Sequence, residues 1–137
     1  MGKGFPVDRA PAAAFPTLLL FATGSGISPI KALIESGALD AGKRADVRLY
    51  YGVRNEAAMA YAELTAGWER EHGVKVVPVF SEAGKGYVQD AFAAAGGAPA
   101  GGGGVAAVLC GQKGMAEAVT AMLTGAGMPK ELVLTNF

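Results

Sequence analysis

Residues 17 to 22 read Thr-Leu-Leu-Leu-Phe-Ala, an unbroken apolar run, and a glycine-rich turn follows at once as Thr23-Gly24-Ser25-Gly26-Ile27-Ser28-Pro29. The run is far short of the about 20 residues that cross a bilayer. It is continuous rather than alternating, which marks a strand buried on both faces. Such a strand needs helices on both sides of its sheet. Ser28-Pro29 opens the first of them: Ser can cap a helix and Pro suits its first turn. Ile30, Leu33 and Ile34 form its apolar face, and Gly37 can end it. Two glycines in the turn let the backbone bend tightly and approach a ligand. Helix N-terminal amides then point at an anion, most naturally a pyrophosphate. The pattern stops short of G-x-G-x-x-G, so on this loop alone a plain tight strand-to-helix turn stands beside the anion cradle.

The remaining chain repeats the strand-then-helix theme. Val47 to Tyr51 is a second strand, and a helix is expected from about Glu56 to Glu71, with Ala60, Leu64 and Trp68 on one face. Val74 to Phe80 is a third strand. Its Pro78 cannot donate a ladder hydrogen bond, which places it at a sheet edge. A short helix runs from Val88 to Ala95, a glycine-rich connector from Gly96 to Gly104, and a fourth strand from Val105 to Cys110. Met115, Val119 and Met122 mark a helix that Gly125 or Gly127 ends, and Leu132 to Leu134 is a last short strand. Alternating strands and helices make an α/β fold with a parallel sheet and helices on both faces. Residues 1–16 carry Pro6, Pro11 and Pro16 without periodicity and read as a lead-in, with the domain proper at 17–137.

Composition removes several functions. Twelve basic residues balance twelve acidic ones, so no nucleic-acid partner is implied. One Cys excludes a disulfide framework and a cysteine zinc site, and the lone His72 argues against a histidine metal centre or a His-dependent triad. No metal site is expected. His72 reads as capping the solvent end of a helix, and Trp68 and Met59 as helix packing.

In open α/β sheets, ligands bind past the carboxyl ends of the strands. Four loops lie there: Thr23 to Pro29, then Gly52-Val53-Arg54-Asn55, then Ser81 with Lys85 and Tyr87, then Cys110-Gly111-Gln112-Lys113-Gly114-Met115. Gly84-Lys85-Gly86 is not a P-loop, since no Ser or Thr follows the Lys. An NAD-type Rossmann domain would carry an acidic residue at the end of strand two, where this chain has Arg54 and Asn55.

Jointly the four loops resemble the NAD(P)H-binding domain of the ferredoxin–NADP reductase family. Gly24-Ser25-Gly26-Ile27-Ser28-Pro29 is similar to its G-T-G-I-A-P-like loop, Lys85-Gly86-Tyr87-Val88-Gln89 to its Lys-x-Tyr-x-Gln run, and Cys110 to Met115 to its C-G-x-x-x-M motif. Within the family the chain looks most like the plant and algal "fruit protein" type of flavin reductase. The resemblance implies five parallel strands in the order 3-2-1-4-5. It implies an FAD-dependent oxidoreductase that passes hydride between nicotinamide and flavin, with electrons going to an unnamed acceptor such as ferredoxin.

Roles follow from the same resemblance. Thr23, Gly24, Ser25, Gly26 and Ile27, with Ser28 and Pro29, would face the pyrophosphate and nicotinamide. Gly52, Val53, Arg54 and Asn55 would line the adenosine side, and Ser81, Lys85 and Tyr87 would hold a 2′-phosphate and stack on adenine. Cys110 would sit beside the nicotinamide, Gly111, Gln112 and Met115 would complete that wall, and Phe137 would lie at the flavin edge. Cys110, Thr23 and Phe137 would form the catalytic set. Read without the motif, Cys110 is equally a buried core thiol, Arg54 a solvated surface residue and Tyr87 core packing.

The sequence also departs from the family. NADP-specific members commonly have Arg after the third-strand Ser; this chain has Glu82, and like charge disfavours a 2′-phosphate there. Lys85 and Arg54 compensate in charge, so the cofactor is NADP(H) or NAD(H) with a lean to NADPH. The family's FAD-binding barrel and its R-x-Y-[ST] motif have no counterpart here. Residues 1–16 then read as the tail and linker of that barrel, FAD belongs to the missing domain, and the isolated chain would turn over little. The alternative is a nucleotide-binding or interaction module without redox catalysis. A soluble, chloroplast location is implied by the resemblance alone.

Overall fold

The computed structural model describes residues 11–37, 39–81, 87–94, 104–111 and 113–135. Nine elements alternate along these residues: β1 Thr17–Thr23, α1 Ile27–Ser36, β2 Asp46–Val53, α2 Thr65–His72, β3 Lys75–Phe80, α3 Val88–Ala94, β4 Val105–Cys110, α4 Lys113–Gly125 and β5 Val133–Thr135. All four strand pairings are parallel, and the sheet order is β3-β2-β1-β4-β5. This is the order the resemblance implied.

The period of two along a strand divides the core into two layers. Leu18, Leu20 and Ala22 of β1 join Ile27, Ile30 and Ile34 of α1 and Trp68 of α2 on one face. Leu19 and Phe21 join Phe92 of α3 and Met115, Val119 and Leu123 of α4 on the other. There Phe21 stacks on Tyr50 with ring centroids 5.4 Å apart, and Phe92 meets both rings edge-on. β1 and β4 are buried nearly throughout because each has a strand on both sides and helices on both faces. Edge strand β3 exposes Pro78 opposite Tyr51, where no ladder donor is needed.

Two local expectations need correction. Helix α1 begins at Ile27 with Gly26 as its N-cap, so Ser28 is its second residue and caps nothing. Gly37 ends it in the left-handed conformation (φ 80°), as expected. The long helix expected over 56–71 is instead two single 3₁₀ turns, Glu56–Ala58 and Ala62–Leu64, before α2 starts at Thr65. Local bonds compete with the helix there. The Ala58 N–H donates to Asn55 Oδ1 at 3.0 Å, and Tyr61 stands in the left-handed region at φ 60°. Ala60 is consequently exposed rather than on the face shared by Leu64 and Trp68, and its N–H donates to the Tyr51 hydroxyl at 3.0 Å.

His72 is the last residue of α2, at the end where a cation suits the helix dipole. The Gly96–Gly104 connector lies outside the described residues except for Gly104.

Candidate functional site

The carboxyl ends of β1, β2 and β3 open into a cleft of about 350 Å³. Thr23 and Gly24 line it from β1, Gly52, Val53 and Arg54 from β2, and Val79 and Ser81 from β3; Tyr87 and Val88 close it at the start of α3. Much of the group expected on the adenosine side thus shares one cavity. Tyr87 is 59% exposed, so it does not serve as core packing. Arg54 is exposed and brings a positive charge to a cleft whose other lining side chains among the described residues are neutral. The sequence reading missed Val79 and Val88 as lining residues. Their signal was only position, at the end of a strand and the start of the helix after its loop.

The end of β4 lies on the other side of β1. Cys110 pairs in register with Ala22, is 7% exposed, and does not line the cleft. Burial pushes its thiol pKa up, so it is a neutral thiol near pH 7. Thr23, 8% exposed, touches both sides of this divide. A Cβ on Gly111, which sits at φ 139°, would collide with Thr23 Oγ1 and approach its backbone N within 2.9 Å. A Cβ on Gly52 would come within 3.4 Å of Thr23 Cγ2. Only backbone without a side chain lets β4 close on β1 this tightly.

The turn into α1 is equally close. A Cβ on Gly26 would collide with the Cys110 carbonyl oxygen and lie 2.6 Å from its carbon. Gly26 has no side chain to cap the helix, so it sets no capping oxygen of its own on the first-turn amides of α1, those of Ile27 and Ser28, Pro29 having no N–H. They are the donors an anion takes at a helix N-terminus.

Other expected site residues divide by position. Ile27 and Met115 are 1% and 4% exposed and anchor the first turns of α1 and α4 in opposite core layers. Ser25 belongs to the Gly24–Gly26 turn, Ser28 is exposed, and Pro29 is half-buried in the first turn of α1. Asn55 is half-buried and accepts from Ala58. Lys85, Gln112 and Phe137, with Glu82, lie outside the described residues. Among the described residues, no group of His, Cys, Asp and Glu could hold a metal ion, and no helix is long and apolar enough to cross a membrane.

Comparison with known proteins places this geometry. The profile of the oxidoreductase NAD-binding domain family matches residues 20–121. The fruit protein pKIWI502 of Actinidia deliciosa is 37% identical over 147 aligned positions that take in 99% of this chain and 44% of that protein, so the chain spans under half the length of this relative. Among solved structures, the Amycolatopsis cytochrome P450 reductase GcoB is similar at a TM-score of 0.74 and 26% identity, over 96% of this chain and 39% of that one. The cytochrome b5 reductase domain of Ulva prolifera nitrate reductase shares the fold at a TM-score of 0.68 and 20% identity, over 90% of this chain and 49% of that one. Ferredoxin-NADP+ reductase from Plasmodium falciparum, solved with 2′P-AMP, shares it at 0.56 and 22%, over 86% and 50%. With strand order, strand-end loops and family profile in agreement, this chain belongs to the oxidoreductase NAD-binding domain family.

Proposed function

We propose that the chain is the NAD(P)H-binding half of an FAD-dependent oxidoreductase. The observation that carries this reading is the cleft past β1, β2 and β3, continuous through Thr23 with the glycine contact to β4. The adenosine side would lie against Gly52, Val53, Arg54 and Tyr87. The pyrophosphate would take the first-turn amides of α1 after Gly24-Ser25-Gly26, and the nicotinamide would reach Thr23, Cys110 and Gly111. Bound there, the nicotinamide would supply hydride chemistry toward a flavin carried by a partner domain.

The chain's own residues bind, orient and exclude water. Thr23 and the neutral Cys110 thiol offer a small, nearly dry surface. Arg54 supports NADPH over NADH, because a guanidinium at the cleft mouth favours a 2′-phosphate. The Plasmodium reductase that shares this fold was solved with 2′P-AMP, which agrees with that lean. A flavohemoglobin from Malassezia yamatoensis with bound FAD and heme also shares the fold, at a TM-score of 0.69 and 20% identity, which supports a flavin-carrying partner domain. Residues 1–16 fit as the link to that domain, Lys85, Gln112 and Phe137 fit as the remaining contacts, and a chloroplast location rests on the family resemblance alone.

Titration of the chain with NADPH and with NADH, followed by calorimetry and by the amide signals of Gly24, Gly52 and Arg54, tests the reading. Submillimolar binding with shifts at all three amides is expected. No binding tighter than millimolar by either cofactor would refute it.

A further inference from the structure

Tyr61 stands in the left-handed backbone region, at φ 60° and ψ 25°, although it is neither Gly nor Asn. A bulky residue holds that conformation only where its surroundings over-determine it, and such residues cluster at functional sites. The surroundings of Tyr61 are specific. Its hydroxyl lies 3.5 Å from Ser28 Oγ, with either group able to donate. Lys31 Nζ sits 5.3 Å from its ring centroid, a cation–π contact. Both partners belong to the first turns of α1, directly after the Gly24–Gly26 turn.

The segment leading back to the cleft is tied at two further points. Ala60 N–H donates to the Tyr51 hydroxyl on β2, and Ala58 N–H donates to Asn55 Oδ1. From Arg54 to Tyr61 the chain is therefore a short strap that leaves β2 at Arg54, closes on itself between Asn55 and Ala58, and is held at its far end both to Tyr51 of β2 and to α1. Gly24, at the foot of α1, and Arg54, at the start of the strap, line the same cleft.

We infer that Tyr61 is a positioning residue for the dinucleotide. By holding the strap against Ser28 and Lys31, it sets the distance between the anion-binding turn before α1 and the Arg54–Asn55 loop. It does not line the cleft itself. This inference rests on the dinucleotide reading above. A ligand that spans both loops, such as the ADP-ribose portion of the cofactor, feels the gap; the core does not.

The test is calorimetric titration of the chain with ADP-ribose, together with thermal melting, for the wild type, Tyr61→Phe, Ser28→Ala and the double variant. Tyr61→Phe keeps the ring and removes only the hydroxyl at a part-exposed site, so its melting midpoint should fall by no more than about 3 °C. Its Kd should rise about threefold, the size of one modest hydrogen bond. On the Ser28→Ala background the same change should add nothing, because the pair is already broken. A merely structural Tyr61 would move the midpoint and leave the Kd alone. An unchanged Kd in Tyr61→Phe, or full additivity with Ser28→Ala, overturns the inference while wild-type binding leaves the dinucleotide reading standing. Failure of the wild type to bind ADP-ribose overturns both.

Discussion

Substituting Gly26→Ala probes the closest approach in the candidate site. Gly26 has φ −61° and ψ −13°, a conformation any residue adopts, so the change introduces no backbone strain of its own. Its effect is steric. The new Cβ would lie against the Cys110 carbonyl group and 2.8 Å from the Gly111 nitrogen. These are backbone atoms at the end of β4, which is held between β1 and β5, so no flexible side chain can yield. Restoring ordinary contact requires α1 to retreat by roughly 1 Å. Overpacking of this kind costs about 3 kcal/mol. At about 4 °C per kcal/mol for a chain this long, the melting midpoint should fall by about 12 °C. Two controls separate this cause from a general sensitivity to glycine replacement. Gly24→Ala meets nothing within 4 Å but forces Ala to φ 52°, which costs about 1 kcal/mol, or about 4 °C. Gly114→Ala, in the first turn of α4, meets nothing and has no left-handed φ, so it should gain about 0.5 kcal/mol. Melting curves by circular dichroism rank the three. If Gly26→Ala melts no lower than Gly24→Ala, the close packing of α1 on β4 is wrong, and the placement of the first-turn amides beside Cys110 falls with it.

Further outcomes follow from single contacts. Trp68→Phe removes the indole N–H that donates to Glu35 Oε2 at 2.9 Å and leaves a void in a buried site, so guanidinium unfolding should show a loss of about 1–2 kcal/mol. Hydrogen bonds from Lys31 and then from Trp68 hold the Glu35 carboxylate below its ordinary value. A depressed carboxylate stabilises the fold above its unfolded pKa and loses that contribution as pH falls through the folded value. Glu35→Gln should therefore flatten the stability profile on the acid side of the ordinary value of 4.5, as read by melting from pH 7 downwards. Alkylation of Cys110 by iodoacetamide at pH 7 should be slower in the native chain than in urea, because burial raises its thiol pKa. Arg54→Gln should cut the affinity for 2′,5′-ADP relative to 5′-ADP by about tenfold, equivalent to about 1.4 kcal/mol for one charge-assisted bond, measured by calorimetry. An unchanged ratio would place the phosphate-recognition charge elsewhere.

The strands were legible because each carries a signal that tertiary context does not override. The unbroken run Leu18 to Ala22 could only be a strand covered on both faces, and Pro78 could only sit where a donor is dispensable. The boundaries of the helices were less legible, for a common reason. Ser28 looked like a cap because Ser before an apolar run usually is one. Here Gly26 takes the N-cap position, since only a residue without Cβ fits against the Cys110 carbonyl, and the helix begins one residue before Ser28. The serine hydroxyl then goes to Tyr61. The spacing of Ala60, Leu64 and Trp68 likewise promised one continuous helix. The Asn55 side chain and the left-handed Tyr61 divert the amides that such a helix would need.

The candidate site follows the same logic one level up. Sequence order shows which loops follow strands, but not which of them share a space. Sheet order decides that, and it splits the loops into two sets. β2 and β3 lie on one side of β1, and β4 and β5 lie on the other. Arg54, Ser81 and Tyr87, expected on the adenosine side, therefore share a cleft that Cys110, expected beside the nicotinamide, does not line. A ligand extended enough to reach both sets must cross the end of β1, where Thr23 meets Gly52 on one side and Gly111 on the other. The crossing leaves no room for a side chain at Gly111, and a Cβ at Gly52 would press on Val88 Cγ1 of α3 at 2.8 Å. The turn from Gly24 to Gly26 that follows leads into the first amides of α1 at the same point. Backbone donors are thus concentrated where a long ligand would be narrowest and most charged. The open, partly apolar cleft and the dry surface at Cys110 flank that point, as the pyrophosphate of a dinucleotide lies between its adenosine and its nicotinamide.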